Sequence, residues 1–266
     1  MPDRDRQRQK AERFRALHEE EPFVIPNPWD AGSARVLAGL GFRALATTSS
    51  GFAFTLGRLD GGVTLDDVAT HTGALDRATD LPVSVDLENG YGADPESAAL
   101  AVRRVAAAGA VGGSIEDWDP AGRLYDVDHA AERIAAAVEA ARELEFPFVL
   151  TGRAENHLRG NPDLADTIVR LQAYEEAGAD VLYAPGLETP EQIRAACNAV
   201  SKPVNVLALG NLSLAEIVDA GAQRVSVGGS LAWTAVEAFV AAARDIAERG
   251  DFTGLGSSAG FRAWLA

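Results

Sequence analysis

The sequence predicts an α/β protein whose eight parallel strands close into a (β/α)8 barrel, the TIM barrel. Eight short apolar runs are spread along the 266 residues, and amphipathic stretches rich in Ala, Leu, Glu and Arg separate them. Strands that alternate with helices form parallel sheets, and eight such units in about 250 residues are typical of a closed barrel. The alternative is an open, doubly wound sheet, but no G-x-G-x-x-G follows the first strand, which weakens its nucleotide-binding version.

The predicted elements follow one another without a linker, so residues 1–266 are expected to form one domain. Residues 1–20 predict an extra helix before the barrel, the barrel occupies about 21–250, and residues 251–266 form a C-terminal tail held by Phe261 and Trp264. The predicted strands are Phe23–Pro26, Ala44–Thr48, Val83–Asp86, Gly113–Glu116, Phe148–Gly152, Val181–Ala184, Val204–Leu207 and Arg224–Val227.

Capping signals place helices between these strands. Asp94 precedes the predicted helix Pro95–Ala108, and proline is favoured at the first helical position. The other helix signals are Asp128–Leu144, a run from Asn161 to Ala177 closed by Gly178, and Thr189 followed by Pro190.

Charge and composition exclude two classes of partner. The chain has 24 Lys and Arg against 39 Asp and Glu, a net charge of −15, which disfavours nucleic acid and anionic membrane surfaces. The charged N-terminus lacks the apolar core of a secretory signal, no run reaches the length of a membrane span, and a single cysteine, Cys197, allows no intrachain disulfide. We therefore expect a cytoplasmic protein. An anionic substrate would need a local cation, either a metal or an arginine.

Acidic side chains follow two neighbouring predicted strands. Asp86 and Glu88 end the third strand, where residues i and i+2 share a face, and Glu116 ends the fourth. The carboxyl ends of barrel strands carry the chemistry of this fold. Three carboxylates in one small volume repel one another unless a cation neutralises them or some bind protons, and all-oxygen ligands favour Mg²⁺ or Mn²⁺. The alternative is a rim of solvated acids, or acids paired with nearby arginines.

Other polar residues at the strand ends are candidate substrate ligands. Arg153 has the planar fork that suits a carboxylate, or else it pairs with Glu155 or Glu116. The segment 48–51, Thr-Ser-Ser-Gly, could present backbone N–H groups to a carboxylate or form an ordinary turn. Asn205 lies on the seventh strand.

Three further features have weaker claims. His157 lies near the barrel mouth or on a surface loop, and Cys197 is expected to pack in a helix. Gly228 and Gly229, before the last helix, either cradle a phosphate or allow tight packing.

These motifs together resemble the isocitrate lyase/phosphoenolpyruvate mutase superfamily over roughly residues 20–250. The resemblance rests on the segments IPNPWDAGSARVL, TTSSGFAFTLGRLDG, VDLENGYG, SIEDW, TGRAE and RVSVGG. It implies a Mg²⁺-dependent enzyme that makes or breaks a C–C or P–C bond beside an enolpyruvate-like intermediate of a small anionic 2-oxo acid. It also implies a homo-oligomer, a dimer or tetramer in which the last helices swap between neighbouring barrels.

The resemblance also implies roles for individual residues. Asp86 would ligate the metal directly, and Glu88, Glu116 and Asp60 would hold it largely through waters. The implied substrate contacts are Thr48, Ser49, Ser50, Asp86, Arg153, Glu155 and Asn205, and the implied catalytic groups are Arg153, Glu116 and Asp60.

The segment after I-E-D departs from two branches of the superfamily. Isocitrate and methylisocitrate lyases carry Lys-Lys-Cys-Gly-His there, with the cysteine as acid or base, whereas residues 118–126 read WDPAGRLYD. Those two activities are therefore not expected. The lysine and the asparagine or threonine of the mutase and phosphonopyruvate hydrolase loops are also missing, and Arg123 and Tyr125 are the polar candidates left.

Decarboxylation of a 2-oxo diacid needs a metal, a charge clamp and a proton donor, but no protein nucleophile. The sequence therefore predicts a Mg²⁺-dependent lyase that cleaves a C–C bond in a small 2-oxo carboxylate through an enolate, similar to oxaloacetate decarboxylases. Tyr125, His157 or a metal-bound water could supply the proton. The alternatives are a P–C bond enzyme, either a mutase or a phosphonopyruvate hydrolase, and a non-catalytic 2-oxo acid binder.

Overall fold

A computed structural model describes residues 3–265 and confirms the (β/α)8 architecture. The strands are β1 Phe23–Ile25, β2 Leu45–Ala46, β3 Val83–Asp86, β4 Gly112–Glu116, β5 Trp118–Asp119, β6 Arg123–Leu124, β7 Val149–Arg153, β8 Val181–Tyr183, β9 Val204–Leu207 and β10 Arg224–Ser226. The helices are α1 Arg4–Leu17, α2 Ala31–Gly39, α3 Ser49–Thr55, α4 Leu65–Ala78, α5 Pro95–Ala107, α6 Val127–Arg142, α7 Leu164–Glu176, α8 Pro190–Asn198, α9 Leu214–Asp219, α10 Ser230–Arg249 and α11 Arg262–Leu265.

Eight parallel strands form the barrel in the order β1-β10-β9-β8-β7-β4-β3-β2. The backbone N–H of Ala46 donates to the carbonyl of Pro26 at 3.1 Å, which links the first two strands and leaves the ring nearly closed. β5 and β6 form a separate antiparallel hairpin after β4. All eight predicted strands are therefore present, and the hairpin is an addition that the sequence pattern did not predict.

Two predicted boundaries move because a side chain caps a helix. β2 is shorter than Ala44–Thr48 because Thr48 is the N-cap of α3, where its Oγ1 accepts from the N–H of Gly51 at 3.3 Å. The helix predicted from Asn161 begins at Leu164, since the Asp163 side chain accepts from the N–H of Ala165.

Helix α1 closes the amino end of the barrel. Phe14 is fully buried there, and a Cβ at Gly112 would lie 2.7 Å from its ring. Lys10, also fully buried, donates to Asp76 at 2.7 Å. The extra N-terminal helix therefore plugs one end of the barrel, which leaves the carboxyl end as the open mouth.

The C-terminal part of the chain leaves the barrel surface. Ala232 is the single buried residue of the 20-residue helix α10, and the Phe239 side chain is 69% exposed. The tail returns to α2, where the Trp264 ring lies against Gly39 and the Arg35 guanidinium donates to the carbonyl of Leu265. Within residues 3–265, no helix has the length and apolar character needed to cross a membrane.

Candidate active site

A cavity of about 170 Å³ opens at the carboxyl ends of the barrel strands and extends into the barrel interior. This volume equals roughly five or six waters at ~30 Å³ each, well below the ~300–1,000 Å³ of drug-sized sites. Its polar lining consists of Asn27, Thr47, Thr48, Ser49, Ser50, Asp60, Ser84, Asp86, Ser114, Arg153, Tyr183, Asn205, Arg224 and Ser226. A larger groove of about 630 Å³ lies at the opposite, amino end and contains none of the predicted site residues. The smaller cavity is therefore the candidate active site.

Asp86, the last residue of β3, is held from three sides. Its Oδ2 accepts from the backbone N–H of Ser49 at 3.3 Å, and its Oδ1 accepts from the N–H of Glu88 at 3.2 Å. Arg153 Nη1 lies 3.5 Å from the same Oδ1. The carboxylate is thus fixed at the cavity wall while both oxygens retain lone pairs for another ligand.

Glu88 lies beside the cavity in a strained turn. Its φ is +47°, and Tyr91, three residues on, has φ +63°. Glu88 Oε1 is buried without a hydrogen-bond partner among the described residues. Burial, together with the carboxylates of Asp86 and Asp60, raises the pKa of Glu88 to about 8. A buried acid in this position needs a proton or a cation.

A buried arginine holds the turn in this conformation. Arg133, 1% exposed, donates to the carbonyls of Asn89, Gly92 and Ala93. Its guanidinium also lies 4.6 Å over the Tyr125 ring. Arg133 therefore positions the Glu88 backbone from outside the cavity.

Arg153, the last residue of β7, is surrounded by carboxylates. Its Nε donates to Glu155 Oε1 at 2.5 Å, and its Nη1 lies 3.3 Å from Glu116 Oε2 as well as 3.5 Å from Asp86. The guanidinium lies 5.3 Å from the Tyr183 ring centre. Burial raises the pKa of Glu116 well above its usual range, and the Arg153 charge opposes that rise.

Glu155 lies behind Arg153 and does not line the cavity. It is fully buried, and its second oxygen accepts from Arg159 Nε at 3.0 Å. Its backbone N–H donates to Asp117 Oδ1, whose other oxygen binds Arg170 and Tyr174. Glu155 thus orients Arg153, and Asp117 points away from the cavity into a structural network.

The other sequence-predicted residues divide between cavity and periphery. Thr48, Ser49, Ser50, Asp60 and Asn205 line the cavity, whereas Glu88 and Glu116 flank it. Because the Ser49 N–H already binds Asp86, it is not free for a substrate carboxylate. A Cβ at Gly229 would lie 2.5 Å from Ser50 Oγ, so this glycine allows close packing at the cavity edge.

Four other candidates lie outside the cavity: two residues of loop 118–126, together with His157 and Cys197. Arg123 is 77% exposed and pairs with Asp119, and Tyr125 is buried in the core, where its hydroxyl accepts from Asn89. His157 lies behind Gly186, and Cys197 packs against Gly221 with its pKa raised by burial to about 11. None of the four is among the cavity-lining residues.

The sequence argument missed seven polar lining residues, among them Asn27, Tyr183 and Arg224. Asn27 donates to the carbonyl of Thr47 and accepts from the N–H of Val227, which ties β1 to its neighbours. Tyr183 lies under Arg153, and burial raises its pKa to about 12. Arg224 lies in the barrel interior. For Arg224, the sequence did offer a signal, because a charged residue at an inward-facing position of a short buried strand indicates a possible ligand contact.

The donor set fits a hydrated divalent cation. Among residues 3–265, no three His, Cys, Asp or Glu side chains form a group that could hold a metal directly. Mg²⁺ keeps several waters and takes one or two carboxylates. Asp86 with its free lone pairs, the unpartnered Glu88 Oε1 and the nearby Glu116 match that requirement.

Comparisons with known proteins show the family to which the chain belongs. The family model for phosphoenolpyruvate phosphomutase matches residues 14–247. A crystal structure of a Burkholderia cenocepacia J2315 protein is 51% identical, covers 98% of this chain and 97% of its own, and superposes with a TM-score of 0.95. The 2-methylisocitrate lyase of Halalkalibacterium halodurans is 32% identical over 204 residues, 74% of this chain and 67% of that protein. The oxaloacetate decarboxylase of Paraburkholderia xenovorans is 32% identical over 198 residues, 71% of this chain and 64% of that protein.

Proposed function

We propose that this chain, which belongs to the phosphoenolpyruvate phosphomutase family, is a Mg²⁺-dependent lyase that cleaves a C–C bond in a small 2-oxo carboxylate, as oxaloacetate decarboxylases do. The observation that carries the proposal is the pairing of Asp86 with Arg153, 3.5 Å apart, at the mouth of a cavity of about 170 Å³. A carboxylate for a metal and a fixed cation for an oxyanion are the two groups that this chemistry requires.

The metal would be held by Asp86, with Glu88 and Glu116 reached through water. When bound, the ion would polarise the ketone of the substrate and stabilise negative charge on its oxygen. Glu88, whose pKa burial raises to about 8, would lose its proton in that state.

Arg153 would bind the substrate oxygen on which negative charge develops. Its orientation is set before substrate arrives, because Glu155 holds Nε at 2.5 Å and the Tyr183 ring lies under the guanidinium plane. Preorganised charge of this kind stabilises a transition state without reorganisation during the reaction.

Tyr183 is the proton donor that we infer for the enolate carbon. It lines the cavity, and with a pKa raised by burial to about 12 it keeps its proton at neutral pH. Tyr125, His157 and Cys197 do not line the cavity. Arg123, the one cationic side chain of loop 118–126, is exposed and paired with Asp119, so it gives a phosphonate substrate no support.

The test is an oxaloacetate assay with Mg²⁺ and with EDTA, on the parent and on Asp86→Ala. We expect pyruvate formation that EDTA abolishes, and loss of both turnover and Mg²⁺ binding in Asp86→Ala. Asp119→Ala, which removes an acid outside the cavity, is the matched control and should retain activity. Normal turnover and metal affinity in Asp86→Ala would show that the metal site is elsewhere.

We also propose a homo-oligomer in which α10 covers a neighbouring barrel. This helix and the segment after it expose large apolar side chains, among them Trp233 at 42%, Phe239 at 69% and Phe252 at 63%. Exposed apolar patches of this kind mark interaction sites. Phe239→Glu should shift the sedimentation coefficient towards that of a monomer, and an unchanged coefficient would contradict this assembly.

A further inference from the structure

Arg224 is a buried cation inside the barrel, and the described residues provide it with no acidic partner. It is 5% exposed and lies on β10, where its Nε donates to Asn205 Oδ1 at 2.9 Å and its Nη2 donates to Thr151 Oγ1 at 2.9 Å. Its Nη1 lies 3.2 Å from His18 Nε2. Within the described part of the chain, no Asp or Glu forms a salt bridge with it. A buried charge without a counter-ion is costly, so a structural role alone does not account for it.

His18 does not neutralise Arg224, since it is itself held in the uncharged form. Its Nδ1 lies 2.8 Å from the carbonyl of Phe14, which can only accept, so Nδ1 carries the proton and Nε2 accepts from the arginine. A guanidinium has five N–H groups. Those that bind Asn205, Thr151 and His18 account for three, and two remain without an acceptor among residues 3–265.

The two cavity arginines therefore differ in available charge. Arg153 faces three carboxylates, those of Glu155, Glu116 and Asp86. Arg224 faces none, although it lines the same cavity. The same cavity is also lined by uncharged hydroxyl and amide groups, from Ser84, Ser114, Asn205 and Ser226. Among the cavity-lining residues, Arg224 on the cavity floor is therefore the arginine whose positive charge is not balanced by a carboxylate.

We propose that Arg224 binds the carboxylate of the 2-oxo acid that remains in the product, at the floor of the cavity. The inference rests on the proposed function and names the subsite within it. A cation fixed against a departing carboxylate would stabilise the reactant, because that group leaves as neutral CO₂, so the carboxylate at Arg224 is the retained one. Of the backbone N–H groups in segment 48–51, those of Ser49 and Gly51 are already bound, to Asp86 and to Thr48 Oγ1 respectively.

Pyruvate and pyruvamide form the probe pair, since they differ mainly in the charge of the retained group. Calorimetric titration in Mg²⁺ should show that the parent prefers pyruvate by at least tenfold. Arg224→Met should reduce that preference by at least tenfold with little change in pyruvamide affinity, and Arg224→Lys should keep part of it. Lys10→Met, which removes a buried cation at the opposite end of the barrel, should lower the melting temperature and leave the preference intact.

A preference for pyruvate that changes less than threefold in Arg224→Met overturns the inference, as does a parent that binds both ligands equally or binds neither. If Arg224→Met does not fold, Arg224→Gln, which is neutral but keeps an amide donor, takes its place with the same two outcomes. A parent that binds pyruvate through Arg224 but does not turn over oxaloacetate contradicts the proposed function alone.

Discussion

Replacing Arg153 by lysine separates the two roles that the sequence left open for this residue. Lysine keeps the positive charge but loses the planar fork. In the structure, the fork contacts Glu155 at 2.5 Å through Nε while Nη1 lies 3.3 Å from Glu116 and 3.5 Å from Asp86. A single ammonium group cannot hold Glu155 and also present charge to a substrate oxygen at the cavity wall.

The expected loss follows from the value of one charged hydrogen bond. Such a bond contributes about 1.5–3 kcal/mol, so its loss from the transition state lowers kcat/KM by roughly ten- to a hundredfold. Steady-state kinetics on oxaloacetate with Mg²⁺ measures this, and a melting curve shows that the variant folds. Arg170→Lys is the matched control, since it alters a buried arginine that pairs with Asp117 away from the cavity. If Arg153→Lys stays within threefold of the parent, Arg153 is only an ion-pair partner of Glu155.

Three further predictions concern acid–base groups. Burial, with a contribution from Arg224, lowers the pKa of His18 to about 3. At mildly acidic pH the unfolded chain therefore binds a proton on His18 that the folded chain does not bind. The free energy of unfolding should then fall as the pH drops below about 6.5, by at most about 1.4 kcal/mol per pH unit. Urea unfolding at several pH values should show that this free energy depends less on pH in His18→Gln than in the parent. An equal pH dependence in the two proteins would contradict this. Tyr183→Phe should lower kcat more than it raises KM if the phenol donates the proton, and a kcat equal to that of the parent would exclude that role. Cys197→Ser should leave turnover within a few-fold of the parent, and loss of turnover in a folded variant would point to cysteine-dependent chemistry.

The barrel could be predicted because its signals are local. Short apolar runs such as Val83–Asp86 and cap–proline pairs such as Thr189 and Pro190 report their own conformation, and all eight predicted strands are present. The β5–β6 hairpin was missed because two-residue strands carry too little periodicity to be recognised.

The site was predictable only where strand position decides where a side chain points. Asp86 and Arg153 end their strands and face the cavity, as the alternation of a strand requires. Glu155 could not be assigned in the same way, because it follows the strand and turns behind Arg153. Its partner Arg159 is four residues further along the same loop, whereas Asp117 comes from another segment that only the folded structure brings to Glu155.

Arg224 shows a different limit of sequence reasoning. An arginine in the motif RVSVGG carries no sign of whether an acid will face it, since its neighbours His18, Thr151 and Asn205 are distant in the sequence. The absence of a carboxylate among those neighbours is a property of the tertiary structure.

The central claim is Mg²⁺-dependent C–C cleavage of a small 2-oxo acid, and one substrate panel tests it most directly. The purified protein is incubated with oxaloacetate, phosphonopyruvate, methylisocitrate and larger 2-oxo acid adducts, each with Mg²⁺ and with EDTA, and the products are quantified. The account predicts pyruvate from oxaloacetate or from a 2-oxo acid adduct in Mg²⁺ and none in EDTA. Turnover of phosphonopyruvate alone, turnover that persists in EDTA, or binding of 2-oxo acids without any turnover would contradict it.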